Sequence, residues 1–140
     1  MKFSFIKPVY AHCDIPCGIY DPKPAQIAAA TVLKMNEKVE GLPKDENQWT
    51  LTDRANFVRY IWTKEEHGRK YKEELLILWT DYFKPEHLEK FPDLHNKFWQ
   101  AAKLCSKNKQ EVNHEAAEAL VKAVDEIADI FQQTKAPHTH

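Results

Sequence analysis

Residues 12–18 read HCDIPCG and place His12, Cys13 and Cys17 within six positions. Imidazole nitrogen and thiolate sulfur are the donors that soft and borderline transition metals select. Ile15-Pro16 constrains the backbone here and Gly18 permits a positive φ. Such a segment can fold back and bring the Cys17 sulfur toward that of Cys13. On spacing alone three readings stand together: two ligands of one metal ion, a local Cys13–Cys17 disulfide, or two of four zinc ligands. The zinc reading needs a further Cys/His pair at zinc-site spacing, and the chain carries none.

The residues just before this cluster bear on the choice. Residues 1–11, MKFSFIKPVYA, hold two lysines, a short apolar patch (Phe3, Phe5, Ile6) and a Val-x-Ala ending of the kind that signal-peptidase-like enzymes cut. An export signal needs an uninterrupted apolar region of about 7–15 residues, and Ser4, Lys7 and Pro8 break this one. Residues 1–11 therefore read as a cleavable pro-segment, followed by one domain over residues 12–140. Cleavage after Ala11 would make His12 the first residue and add its free amine to the donors. That amine would chelate a metal together with the Cys13 amide nitrogen, the Cys13 sulfur would add a second ring, and the Cys17 sulfur would close a plane. Planar nitrogen and sulfur donation suits Ni(II) or Cu(II) rather than tetrahedral zinc. The His12 imidazole would reach an axial position.

Helices must position this segment. Asp21-Pro22 predicts a helix start, and Ala28, Val32, Met35 and Val39 fall on one helical stripe before Gly41 and Pro43 stop it. After the polar linker PKDENQW, a second helix is expected from Thr52-Asp53 to about Phe83, ended by Pro85. Its stripe is Phe57, Ile61, Tyr71, Leu75, Leu78 and Tyr82, its stretch KEEHGRKYKEE faces solvent, and Gly68 marks a place for a kink. A third helix follows Pro92 with Leu94, Phe98, Ala101 and the core thiol Cys105. A fourth runs from about Lys109 to Thr134 on Ala116, Leu120, Ala123, Ile127 and Ile130. The fold expected is all-α, an antiparallel four-helix bundle with an N-terminal metal-binding hook. Glu86, Glu89 and the His114-Glu115 pair sit off the apolar stripes, so the interior reads as plain core. Trp62, Trp79 and Trp99 read as packing or subunit interface, and His138 and His140 as tail.

The 140-residue length fits a single domain. A net charge of −1 gives no reason to expect nucleic acid or a membrane surface as partner. The longest apolar run, Leu75–Trp79, falls far short of the about 18 residues of a membrane span. Three cysteines, an odd and low number, point to a reducing cytoplasm rather than a secreted disulfide scaffold.

The stretch HCDIPCGIYDP at residues 12–22 resembles the nickel hook of nickel-containing superoxide dismutases, and LWTDYFKPEHLEKFPDLH at residues 78–95 resembles that family's most recognisable helical stretch. The resemblance implies one nickel ion per subunit, held by the amine and imidazole of His12, the amide nitrogen and sulfur of Cys13, and the sulfur of Cys17. It implies Ni(II)/Ni(III) cycling that converts superoxide to dioxygen and hydrogen peroxide. It places Tyr20 and Tyr82 near the metal, where they order water and restrict access. Lys84 is the cation expected to attract the anion, Asp14 the residue that fixes the hook by hydrogen bonding, and Pro16 the residue that sets its turn. A homohexamer, a leader peptidase and a nickel-loading factor are the implied partners. The sequence departs from the family where a Glu and an Arg hold the axial His: Ala28 stands at the Glu position, and His67, with Arg59 and Arg69 nearby, at the Arg position.

Overall fold

A computed structural model describes residues 18–135. His12, Cys13, Asp14, Pro16 and Cys17, the segment 1–11, and His138 and His140 lie outside the described residues. Within them the chain is all-helical: α1 Lys23–Glu40, α2 Leu51–Ile77 continuing into a π turn Leu78–Tyr82, the short α3 Pro85–Lys90, α4 Leu94–Gln110 and α5 His114–Lys135.

Each start has a local cause. The Asp21 carboxylate accepts the Lys23 N–H at 2.8 Å, and Pro24 supplies a preset φ in the first turn. Thr50 and Asp53 satisfy each other's backbone N–H groups in a capping box that opens α2 slightly earlier than expected. Between them a 3₁₀ turn at Glu46–Gln48 is closed by Trp49, whose indole N–H donates to the Pro43 carbonyl at 2.8 Å.

Four long helices pack in a ring, α1 against α2 and α5, and α4 against α2 and α5. The register of the contacts runs each pair in opposite directions. Lys38 lies over the Tyr60 ring and Tyr20 meets Tyr82; Gln26 reaches Asp125 while Glu40 faces His114. Cys105 meets Gly68 while Trp79 meets His95, and Lys97 reaches Glu126 while the Asn108 amide donates to the Ala116 carbonyl. Tyr71, Phe98, Leu120, Ile127 and Phe131 fill the centre. Burying side chains of this size contributes about 1.5–3 kcal/mol each.

Four expectations are corrected. The inward stripe of α1 is Ala25, Ala28, Ala29, Val32 and Asn36, while Met35 and Val39 are only partly buried. The stretch KEEHGRKYKEE does not simply face solvent: Lys64 is 3% exposed, because its amine donates to the carbonyls of Asn108 and Glu111 (2.6 Å to the latter). The interior is therefore not plain core, since Asn36, Lys64 and Asn108 are buried in it. The last helix starts at His114, five residues later than expected, because Lys64 holds carbonyls at the end of α4 and the Asn113 side chain caps the Ala116 N–H at 2.9 Å. The helix α3 was not anticipated.

No break occurs at Gly68. A Cβ built there would lie 3.2 Å from Lys109 Cγ and 3.9 Å from Cys105 Sγ, so glycine lets α4 approach α2 closely. The Cys105 thiol uses that approach to donate to the Gly68 carbonyl at 2.9 Å.

Candidate metal centre

The end of α2 widens before it stops. The Phe83 N–H reaches the Leu78 carbonyl at 3.0 Å, an i→i+5 bond that closes the π turn. Single π turns recur at functional sites because the extra residue reorients side chains at a helix end. Here the turn carries Asp81 and Tyr82, and the chain then reverses through Lys84 into α3.

Gly18, Tyr20, Asp81, Tyr82, Lys84 and His87 line a cleft of about 240 Å³ at this end of the molecule. The structure thus brings together three of the expected residues, Tyr20, Tyr82 and Lys84. It does so from the segment before α1, the π turn, and the corner ahead of α3. Gly18 adopts φ +94°, and nothing lies within 4 Å of a Cβ built there. Glycine is required by the backbone conformation, not by crowding.

The tyrosines are held firmly. Tyr20 is buried, and its ring lies 5.6 Å from that of Tyr82. Tyr82 packs 4.4 Å from Phe131 and 5.0 Å from Phe83. Thr134 donates its hydroxyl to the Phe131 carbonyl at 2.6 Å, so at 2.7 Å its oxygen accepts the Tyr82 hydroxyl proton. Lys135 donates to the Tyr20 carbonyl at 3.2 Å. The last two residues of α5 therefore tie down both tyrosines.

Asp81, His87, Thr134 and Lys135 are contributors that the sequence reading did not single out. His87 carried a local signal, since a proline followed two positions later by a side-chain acceptor is a helix-start pattern. Thr134 and Lys135 carried none, because the contact with Tyr82 spans 52 residues. Ala28 is buried among core residues, His67 donates from Nδ1 to the Thr63 carbonyl of its own helix at 2.9 Å, and neither they nor Arg59 and Arg69 line the cleft.

His12, Cys13 and Cys17 precede this cleft in the chain, Cys17 by a single residue. Two thiols, an imidazole and backbone nitrogen form a donor set that fits nickel. A helical fold over the described residues, with such donors immediately ahead in sequence of a tyrosine-lined cleft, defines the class of helical metalloproteins.

A family model described as nickel-containing superoxide dismutase matches residues 7–135. The chain is 35% identical over 128 residues to a protein named superoxide dismutase [Ni] from Streptomyces seoulensis, covering 91% of this chain and 90% of the relative. The figures are the same for its counterpart from Streptomyces coelicolor. A native nickel superoxide dismutase structure at 1.30 Å superposes with a TM-score of 0.76 at 34% identity, covering 89% of this chain and 98% of that one. The apo structure gives a TM-score of 0.74 at 31% identity, covering 84% and 98%. The chain belongs to the nickel-containing superoxide dismutase family.

Proposed function

We infer that this chain performs the family's reaction, 2 O₂•⁻ + 2 H⁺ → O₂ + H₂O₂, as an oxidoreductase with a nickel cofactor. The observation that carries this reading is the cleft whose wall includes Gly18, directly after the His12/Cys13/Cys17 cluster, together with Tyr20, Tyr82 and Lys84. The architecture behind it is read as an antiparallel four-helix bundle with an N-terminal hook.

In this reading the hook holds nickel through the His12 amine and imidazole, the Cys13 amide nitrogen and sulfur, and the Cys17 sulfur, once a peptidase has removed residues 1–11. Bound there, nickel supplies a one-electron couple, Ni(II)/Ni(III), which anionic sulfur and amide donors bring within reach of superoxide. Lys84, exposed at the cleft, raises the local concentration of the anion. Tyr20 and Tyr82 narrow the approach and order water. With its own proton committed to Thr134, the Tyr82 oxygen is an acceptor on its remaining side, suited to holding a water that delivers protons to the departing peroxide. Asp14 fixes the hook by hydrogen bonding, and Pro16 sets its turn.

Leu51, Val58 and Trp62 are 85%, 66% and 71% exposed along one face of α2, which favours self-association, and the family resemblance makes that a homohexamer. A cytoplasmic location rests on cysteine usage. Among the described residues no helix is long and apolar enough to cross a membrane.

The test compares protein beginning at His12 with the uncut chain. The cut form should bind nickel and dismute superoxide, and the uncut form should show little activity because its His12 nitrogen is an amide. Equal activity of the two would overturn the ligand set. Full nickel occupancy without dismutation would overturn the function. Cys13→Ser and Cys17→Ser should each abolish activity while leaving helix content unchanged by circular dichroism.

A further inference from the structure

We propose that His87 is a positioning residue for the reaction, holding Lys84 at the mouth of the cleft. The proposal rests on the reading of Lys84 as the cation that attracts superoxide. Lys84 lies between the π turn and Pro85, in an extended conformation (φ −116°, ψ 163°). A residue before proline is confined to such conformations, so the backbone N–H of Lys84 lies outside any helical ladder. That N–H donates to His87 Nδ1 at 3.1 Å, and the His87 N–H returns a bond to the Lys84 carbonyl at 2.9 Å. The pair forms a reciprocal clamp around the corner, with an imidazole nitrogen in the place usually taken by a Glu or Gln side chain three residues into a helix.

The ring that makes this clamp is itself fixed. It stacks on Tyr82 at 5.8 Å and 21°, and meets Phe83 edge-on at 5.6 Å and 86°. Because Nδ1 accepts, the ring hydrogen resides on Nε2 in this arrangement. His87 therefore joins two elements of the cleft: its face sets the ring of Tyr82, and its edge sets the backbone from which the Lys84 side chain departs. All three line the same cavity. A lysine ammonium on an untethered corner would spend its charge over a wider volume, and steering of a small anion depends on where the charge is held.

Two substitutions separate this role from support of α3. Gln and Leu have similar helix propensities, but only Gln offers an acceptor to the Lys84 N–H. In the nickel-loaded protein, His87→Gln, which keeps the acceptor but not the ring against Tyr82, should keep the fall of kcat/KM for superoxide with ionic strength close to wild type. His87→Leu should lower kcat/KM about three- to tenfold at low salt and flatten that fall, with kcat much less affected. That is the pattern expected from loss of steering. In the same full-length chains, amide hydrogen exchange at Lys84 should quicken about tenfold in His87→Leu and stay slow in His87→Gln. Unchanged Lys84 exchange or an unchanged salt slope in His87→Leu would overturn the proposal, as would failure of Gln to restore both. A wild-type nickel-loaded protein without dismutase activity would instead overturn the functional reading and the steering role of Lys84, an outcome that the amide exchange measurement keeps separate from the clamp itself.

Discussion

Cys105 illustrates how environment sets the chemistry of a residue type. Its thiol is buried, donates to the Gly68 carbonyl, and is pushed above the usual thiol pKa by burial, with the nearby Lys72 and Lys109 only partly opposing this. The thiolate is the reactive form, so Cys105 should resist alkylation in the folded protein and react on unfolding. Mass spectrometry of protein treated with a maleimide before and after denaturant checks this, and native labelling at Cys105 would contradict the burial argument. At the cleft, by contrast, side chains gain their roles through partners. Tyr82 is an aromatic on the helical stripe of α2, but the bond to Thr134 decides which way its hydroxyl proton points. Thr134→Val removes that acceptor and leaves the part-buried Tyr82 hydroxyl without this partner, at a cost of about 1 kcal/mol, whereas Thr134→Ser retains both bonds. Denaturant midpoints of the two variants should differ accordingly.

At the scale of elements, the decisive features are helix ends. The π turn, the Lys84–Pro85 corner and the first turn of α3 deliver four of the six cleft residues, and the end of α5 braces them. At the opposite end of the molecule, Lys64 does comparable work for stability. Its buried amine takes two carbonyls at the end of α4, which ends that helix and separates it from α5. Burial lowers the Lys64 pKa and the neighbouring Glu65 charge opposes the shift, while the two carbonyls accept its N–H groups. Lys64→Leu should lower stability by about 1–3 kcal/mol through unpaired carbonyls, without altering the cleft. Urea unfolding and dismutase activity, measured on the same preparation, test the two halves of that statement; a parallel loss of activity in fully folded protein would refute it.

At the scale of the molecule, the ring of four helices leaves an apolar face on α2 among the described residues. Leu51, Val58 and Trp62 stand i, i+7 and i+11 along α2, exposed in the single chain. Light scattering should give six times the chain mass, and Trp62→Glu should reduce it. An unchanged mass in that variant would exclude this face from the assembly, and a monomeric wild type would remove the hexamer.

Among the described residues, the all-helical class and four of the five α-helices follow from the sequence because apolar period and capping chemistry are local properties: Asp21, Asp53 and the stripes of α4 and α5 act within a turn or two of themselves. The donor cluster HCDIPCG can be proposed from sequence for the same reason, since its donor residues fall within six positions. Lys64 and the start of α5 were misread because the partners of a buried amine lie more than forty residues away, and charge alone reads as solvent exposure. The tertiary structure alone decided that Thr134 and Lys135 belong with Tyr20, Tyr82 and Lys84. Their contacts cross from one helix end to another, and only packing of the four long helices brings those ends within hydrogen-bonding distance.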